Sequence, residues 1–192
     1  SLATHMRYAI PGGAIDAAAA EIAKELLHVL PPPQAEDLRA HLIPLAVGTA
    51  GLDVLFVIDT TGSMGEDIAE AVRFAKNNAR TINSLGGRVA LVAYRDAGDA
   101  YTARLVTDFT TDVDAFATQL DGLVALGGGD GPEALFHALM TGFNEVSWRN
   151  GATKAAVVLT DAGFHNPDRV DGTTLPQVVT RALEIDPVNV YP

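Results

Sequence analysis

The sequence of 192 residues contains no cysteine. Disulfides, thiolate catalysis and cysteine-ligated metal sites are therefore excluded. Basic residues are scarce: 13 lysines and arginines face 24 acids, for a formal net charge of −11. With no basic block, the chain is poorly suited to phosphate backbones or anionic membranes, so no nucleic-acid partner is expected. No stretch approaches the roughly 18 apolar residues that cross a bilayer, so no membrane span is expected either. What remains is an apolar fraction of 48% with 19% charged residues, enough for a packed core. The surplus of acid suits binding to cations or to a positively charged partner.

The length fits one domain with a small extension. Ser1 to Met6 reads as a cloning scar rather than a signal peptide. Residues 7–50 read as a helical extension. Ile15, Ala19, Ile22, Leu26 and Leu30 have helical spacing, Pro31 to Pro33 end that run, and a second short helix spans Gln34 to about Ile43. His28 and His41 fall in these helices as surface or packing residues.

The pattern changes at Leu52, and residues 51–192 read as the main domain. Val54 to Ile58 is a continuous apolar, β-branched run, typical of a strand covered on both faces. Ile68, Val72, Ala75, Ala79 and Ile82 form one helical stripe. Val89–Tyr94 and Tyr101–Phe109 read as strands close enough for a hairpin, and Asp112–Leu123 as a helix. After the glycine-rich loop Gly127–Gly131, Pro132 suits the first turn of a helix reaching about Val146. A strand at Lys154–Leu159, a helix at Leu175–Ile185 and a last strand from Val188 to Tyr191 follow. Alternating strands and helices predict an α/β, doubly wound, mostly parallel sheet with helices on both faces.

In such sheets ligands bind beyond the carboxyl ends of the strands. The first strand ends in Asp59-Thr60-Thr61-Gly62-Ser63, the glycine loop offers Asp130 and Glu133, and a later strand ends in Thr160-Asp161. All the donors are oxygens, which suits a hard divalent cation: Mg²⁺ first, with Ca²⁺ or Mn²⁺ as alternatives. Asp59, Thr61 and Ser63 alternate, so an extended loop points all three at one centre. Taken singly, Asp59 and Ser63 could equally cap the following helix.

Asp59-Thr-Thr-Gly-Ser63 after an apolar strand resembles the DxSxS signature of von Willebrand factor type A domains, with Thr61 in the place of the middle serine. The resemblance runs from about Leu52 to Tyr191. Val92-Ala-Tyr94-Arg95-Asp96, Asp108-Phe-Thr-Thr-Asp112 and Gly127-Gly-Gly-Asp130-Gly-Pro132-Glu133 are similar to a bacterial branch related to the integrin β-subunit I-like domain. The resemblance implies a metal-ion-dependent adhesion site. Asp59, Thr61, Ser63 and Asp161 carry over as ligands. Gly131 stands where many A domains have a threonine, and Glu133 serves instead, with Asp130 as its alternative. Glu66 and Asp67 match an acidic pair that helps bind an adjacent ion, or simply complement the helix dipole.

The implied function is a non-enzymatic adhesion module whose cation captures a carboxylate of a protein partner, with a secreted or cell-surface location favoured. A scaffold domain of a larger complex is the alternative, and a metal-dependent hydrolase a remote one. The family pattern continues with a helix, a sixth strand and a final helix, so the domain is expected to be short of its last elements, with the N-terminal helices covering part of the sheet. Gly129-Asp-Gly131-Pro-Glu-Ala134 formally fits a dinucleotide fingerprint but lacks the preceding strand. A phosphatase reading of Asp59 fails because Thr61 stands where the general acid is needed. His165 could line the rim of the site, His137 should pack on its helix, and Trp148 should close a helix end.

Overall fold

The computed structural model describes residues 51–129, 132–185 and 188–191. The expectations for residues 7–50, including their cover of the sheet, lie outside these residues, as does Asp130. In chain order the elements are β1 (Leu52–Asp59), a 3₁₀ turn (Gly62–Gly65), α1 (Ile68–Ser84), β2 (Arg88–Tyr94), β3 (Ala103–Thr110) and α2 (Val113–Asp121). Then come β4 (Pro132–Glu133), α3 (Leu135–Glu145), β5 (Thr153–Leu159), β6 (Gly163–Phe164), α4 (Leu175–Glu184) and β7 (Val188–Tyr191).

The main sheet has the order β3-β2-β1-β5-β7. β1 runs parallel to β2 and β5, and β5 parallel to β7. β3 is antiparallel to β2, with Tyr94 opposite Ala103, so the expected hairpin forms. β1 is central and fully buried, and its period of two divides it between two cores. Leu52, Val54, Phe56 and Ile58 meet Ala71, Ala75, Ala79 and Ile82 of α1 and Phe116 and Leu120 of α2. Leu55 and Val57 meet Leu135, Phe136, Leu139 and Phe143 of α3 and Leu175, Val178, Val179 and Ala182 of α4. The apolar run predicted to be covered on both faces is covered on both faces. α3 approaches so closely that a Cβ on Gly142 would lie 2.5 Å from Leu55 Cδ2.

Helix starts are held by side chains. Asp112 accepts from Ala115 N at 2.9 Å before α2, and Gln177 reaches back to Thr174 N at 2.8 Å before α4. Asp168, from a distant loop, accepts from His137 N at 3.0 Å in the first turn of α3.

Pro132 departs from its expected place in a helix. It pairs with Gly163, and Glu133 with Phe164, as a two-residue parallel ladder, and α3 starts only at Leu135. His165 N also donates to Glu133 O at 3.3 Å. These bonds hold the backbone extended and bring Glu133 beside the loop that follows β5.

Candidate metal centre

Asp59 ends β1 beside the carboxyl ends of β2 and β5, and it is fully buried. Both carboxylate oxygens are engaged. Oδ1 accepts from Thr61 N at 2.8 Å and Thr61 Oγ1 at 2.7 Å, and Oδ2 accepts from Thr160 Oγ1 at 2.7 Å. Burial pushes this carboxyl above its ordinary range, the bonds from Thr61 and Thr160 oppose that, and the nearby charge of Asp161 adds to it. Asp59 does not cap α1, whose N-cap is Asp67.

The row continues outward. Thr61 Oγ1 lies 3.0 Å from Ser63 Oγ, which donates to Asp161 Oδ1 at 2.9 Å. Thr61 is buried while Ser63 and Asp161 are exposed, so the row runs from core to solvent. The extended loop is not what joins them. Thr61 is extended (φ −71°, ψ 166°), but Ser63 sits in the 3₁₀ turn that begins at Gly62. The turn folds Ser63 back toward Thr61, so the two hydroxyls still meet.

Proton counting defines the chemistry of this row. Each hydroxyl has one proton. Thr61 gives its own to Asp59, and Ser63 gives its own to Asp161. With both carboxylates ionised, the contact between Thr61 and Ser63 has lone pairs on both sides and no proton between. Four oxygens in a row carry two protons for three contacts. A further proton or a cation satisfies them, and hydroxyl lone pairs backed by carboxylates suit a hard divalent ion.

The glycine loop forms the facing wall of an open cleft of about 430 Å³, lined by Thr61, Ser63, Gly127–Gly129, Glu133 and Asp161 among others. Gly128 has φ +78°, and a Cβ there would lie 3.1 Å from Thr61 Cβ and 3.2 Å from Glu133 Oε1. Glu133, buried, thus lies across Gly128 from Thr61. Two residues of the β2–β3 connection hold this wall: Asp99, outside the sequence motifs, and Arg95, within one of them but given no role there. Asp99, in the β2–β3 loop, accepts from Gly128 N at 2.8 Å. Arg95, buried at the end of β2, donates to Thr60 O at 3.1 Å and Val124 O at 3.0 Å. Gly62 N donates to Gly127 O at 2.9 Å, and Leu126 N to Thr60 O at 2.9 Å.

The structure thus brings together Asp59, Thr61, Ser63 and Asp161, with Glu133 on the same cleft. Glu66 and Asp67 are exposed at the start of α1 and do not line it. His165 is buried rather than at the rim, its Nε2 3.9 Å from Asp96 Oδ1. His137 does more than pack: its Nδ1 lies 2.8 Å from Asp171 Oδ2. Trp148 packs on Phe109 with ring centroids 4.8 Å apart and donates to Phe143 O near the end of α3, as expected of a residue that closes that helix. Among the described residues, no group of three or more His, Asp or Glu side chains is spaced to hold a metal by itself. No helix of the described residues is long and apolar enough to cross a membrane.

Residues 53–179, more than half of the chain, match the family model for the von Willebrand factor A domain. The human von Willebrand factor A domain-containing protein 7 is 38% identical over 96 residues, 47% of this chain and 10% of that protein. The solved structure of BatB, a conserved hypothetical protein of Bacteroides thetaiotaomicron, aligns with TM-score 0.55 and 15% identity, over 73% of this chain and 64% of its own. The vWF domain of the type V pili tip protein Mfa5 from Porphyromonas gingivalis aligns with TM-score 0.47 and 24% identity, over 59% of this chain and 38% of its own. The chain therefore spans about a tenth of the human relative's length and less than two thirds of either structure.

Proposed function

Because this chain belongs to the von Willebrand factor A domain family, we propose that it is a protein-binding module that holds a divalent cation at the end of β1. Thr61 and Ser63 are its hydroxyl ligands, Asp59 and Asp161 orient those hydroxyls and supply negative charge, and Glu133 completes the site from β4. The observation that carries this reading is the row of four oxygens, Asp59 Oδ1, Thr61 Oγ1, Ser63 Oγ and Asp161 Oδ1, joined by contacts of 2.7, 3.0 and 2.9 Å. A cation placed against Thr61 and Ser63 takes up the lone pairs that otherwise face each other.

The bound ion would supply an electrophilic centre for an external carboxylate. Two of its ligands are neutral, and Ser63 and Asp161 lie on the solvent side of the row. The partner is therefore a protein that presents an acidic side chain. The use of Glu133 follows the integrin-β-like pattern and belongs to this proposal, as does a non-enzymatic role. Both hydroxyls at the cleft donate to carboxylates that this proposal commits to the cation, and no histidine is among its described lining residues.

Titration calorimetry with Mg²⁺, Mn²⁺ and Ca²⁺ on the wild type and Asp59→Ala tests the site. Saturable binding to the wild type alone is expected. Equal heats for the two proteins would reject it.

A further inference from the structure

Thr60 stands between Asp59 and Thr61, is fully buried, and does not itself line the cleft. Each of its polar groups is engaged. Its N donates to Tyr94 O at 2.9 Å, and its carbonyl accepts from Leu126 N at 2.9 Å and Arg95 Nε at 3.1 Å. Its hydroxyl donates to Tyr94 O at 2.8 Å and lies 2.7 Å from the hydroxyl of Tyr101. A carbonyl only accepts, so the single hydroxyl proton of Thr60 is committed to Tyr94 O. The proton between the two hydroxyls therefore comes from Tyr101.

Tyr101 lies in the connection between β2 and β3, half-buried against the core that contains Phe116 and Leu120. Arg95 N donates to Thr102 O at 2.8 Å and closes the base of that connection. The Arg95 guanidinium lies over the Tyr101 ring, with Cζ 4.6 Å from the centroid. The ring attracts the cation, and stacking on its face orients the planar fork. That fork ties Thr60 O, at the end of β1, to Val124 O, in the segment that leads to the glycine wall. Tyr101 thus reaches this joint twice. Its hydroxyl holds Thr60 directly, and its ring holds the guanidinium that joins Thr60 to the wall. Arg104 meets the same ring at 4.4 Å, but it is exposed and donates to neither carbonyl.

We infer that Tyr101 is a positioning residue of the cation site, one that sets its preference for Mg²⁺ over Ca²⁺ without touching the ion. This rests on the cation reading above. Asp59 and Thr61 are the chain neighbours of Thr60, so a shift of Thr60 moves both. A shift of Val124 carries along the chain to Gly127–Gly129. Mg²⁺ demands a near-ideal octahedron at about 2.0–2.1 Å, whereas Ca²⁺ accepts irregular shells at about 2.3–2.6 Å. A loosened joint therefore weakens Mg²⁺ binding more than Ca²⁺ binding. A residue that merely supported the fold would lower stability and leave the ratio of the two affinities alone.

Titration calorimetry with Mg²⁺ and with Ca²⁺ on the full chain tests this, comparing wild type, Y101F, Y101L and R104A at a temperature where melts show each folded. Y101F removes the hydroxyl and keeps the ring, and Y101L removes both. Mg²⁺ affinity should fall about threefold to tenfold in Y101F and on the order of 10–100-fold in Y101L. Ca²⁺ affinity should fall less in each, and R104A should keep the wild-type ratio. If Y101L fails to fold, Y101F decides. A lowered melting temperature with an unchanged Mg²⁺ to Ca²⁺ ratio in the Tyr101 variants overturns the inference. An equal loss of the ratio in R104A also overturns it, because Arg104 meets the ring but not the joint. Wild type that binds Ca²⁺ alone overturns this inference and leaves the cation reading standing. Wild type that binds neither ion overturns both.

Discussion

Thr61 Oγ1 and Ser63 Oγ lie 3.0 Å apart, and each gives its one proton to a different carboxylate. The pair is thus a set of acceptors converging from two sides of one turn. Their roles in folding differ. Thr61 is buried and tied to Asp59 through both its amide and its hydroxyl, whereas Ser63 is exposed. Ser63→Ala should change stability by no more than about 0.5 kcal/mol, as exposed substitutions do, while lowering Mg²⁺ affinity at least tenfold. Thermal melting and calorimetry on the same sample separate the two effects.

Thr160 acts one step behind. It donates to Asp59 Oδ2 at 2.7 Å without lining the cleft. Thr160→Val keeps the shape and removes that bond. A drop in cation affinity on the order of 10–100-fold is expected, the usual effect of losing a bond that orients a ligand. Unchanged affinity by calorimetry would show that Asp59 needs no support on that side.

Gly128 tests the wall of the cleft. Its φ of +78° disfavours any side chain by about 1–2 kcal/mol. A methyl there also presses on Thr61 Cβ and Glu133 Oε1. Gly128→Ala should therefore lower both stability and cation binding, whereas Gly129→Ala, with open space around its Cβ position, should lower neither much. Denaturant melts and calorimetry on the two variants make the comparison.

Far from the cleft, Asp53 opens β1 between two arginines. It is fully buried and accepts from Arg88 Nε at 3.0 Å and Nη2 at 2.7 Å, and from Arg149 N at 2.9 Å and Nε at 2.8 Å. Burial pushes its carboxyl up, but the bonds from Arg88 and Arg149 outweigh that and hold it below its ordinary 3.8. A depressed folded pKa contributes stability that is complete above the unfolded value and is lost as pH falls through the folded one. Melting temperature should therefore fall as pH drops below about 4. Asp53→Asn should flatten part of that fall and cost on the order of 3 kcal/mol at neutral pH, because it leaves the two arginines facing a neutral group. A melting curve for Asp53→Asn that matches the wild type at pH 7 would refute this.

How far the sequence reaches depends on how local each feature is. The apolar run of β1 and the stripe of α1 are written in neighbouring residues, and each is readable, whereas Thr61 and Ser63 meet through a 3₁₀ turn that their alternation does not show. The β4–β6 ladder is not readable either. Two residues carry no period, and Pro132 before a helical pattern fits a helix start equally well. The grips of Asp99 on Gly128 and of Arg88 and Arg149 on Asp53 join positions 29, 35 and 96 apart in the chain. Nothing in local sequence ranks one such pairing above another.

The central claim is a cation against Thr61 and Ser63, and crystallography of the full chain grown with Mn²⁺ tests it most directly. The account predicts an anomalous peak between β1 and the glycine loop, about 2.0–2.6 Å from Thr61 Oγ1 and Ser63 Oγ, that is absent in Asp59→Ala. Crystals at saturating Mn²⁺ with no anomalous peak at those hydroxyls would contradict it.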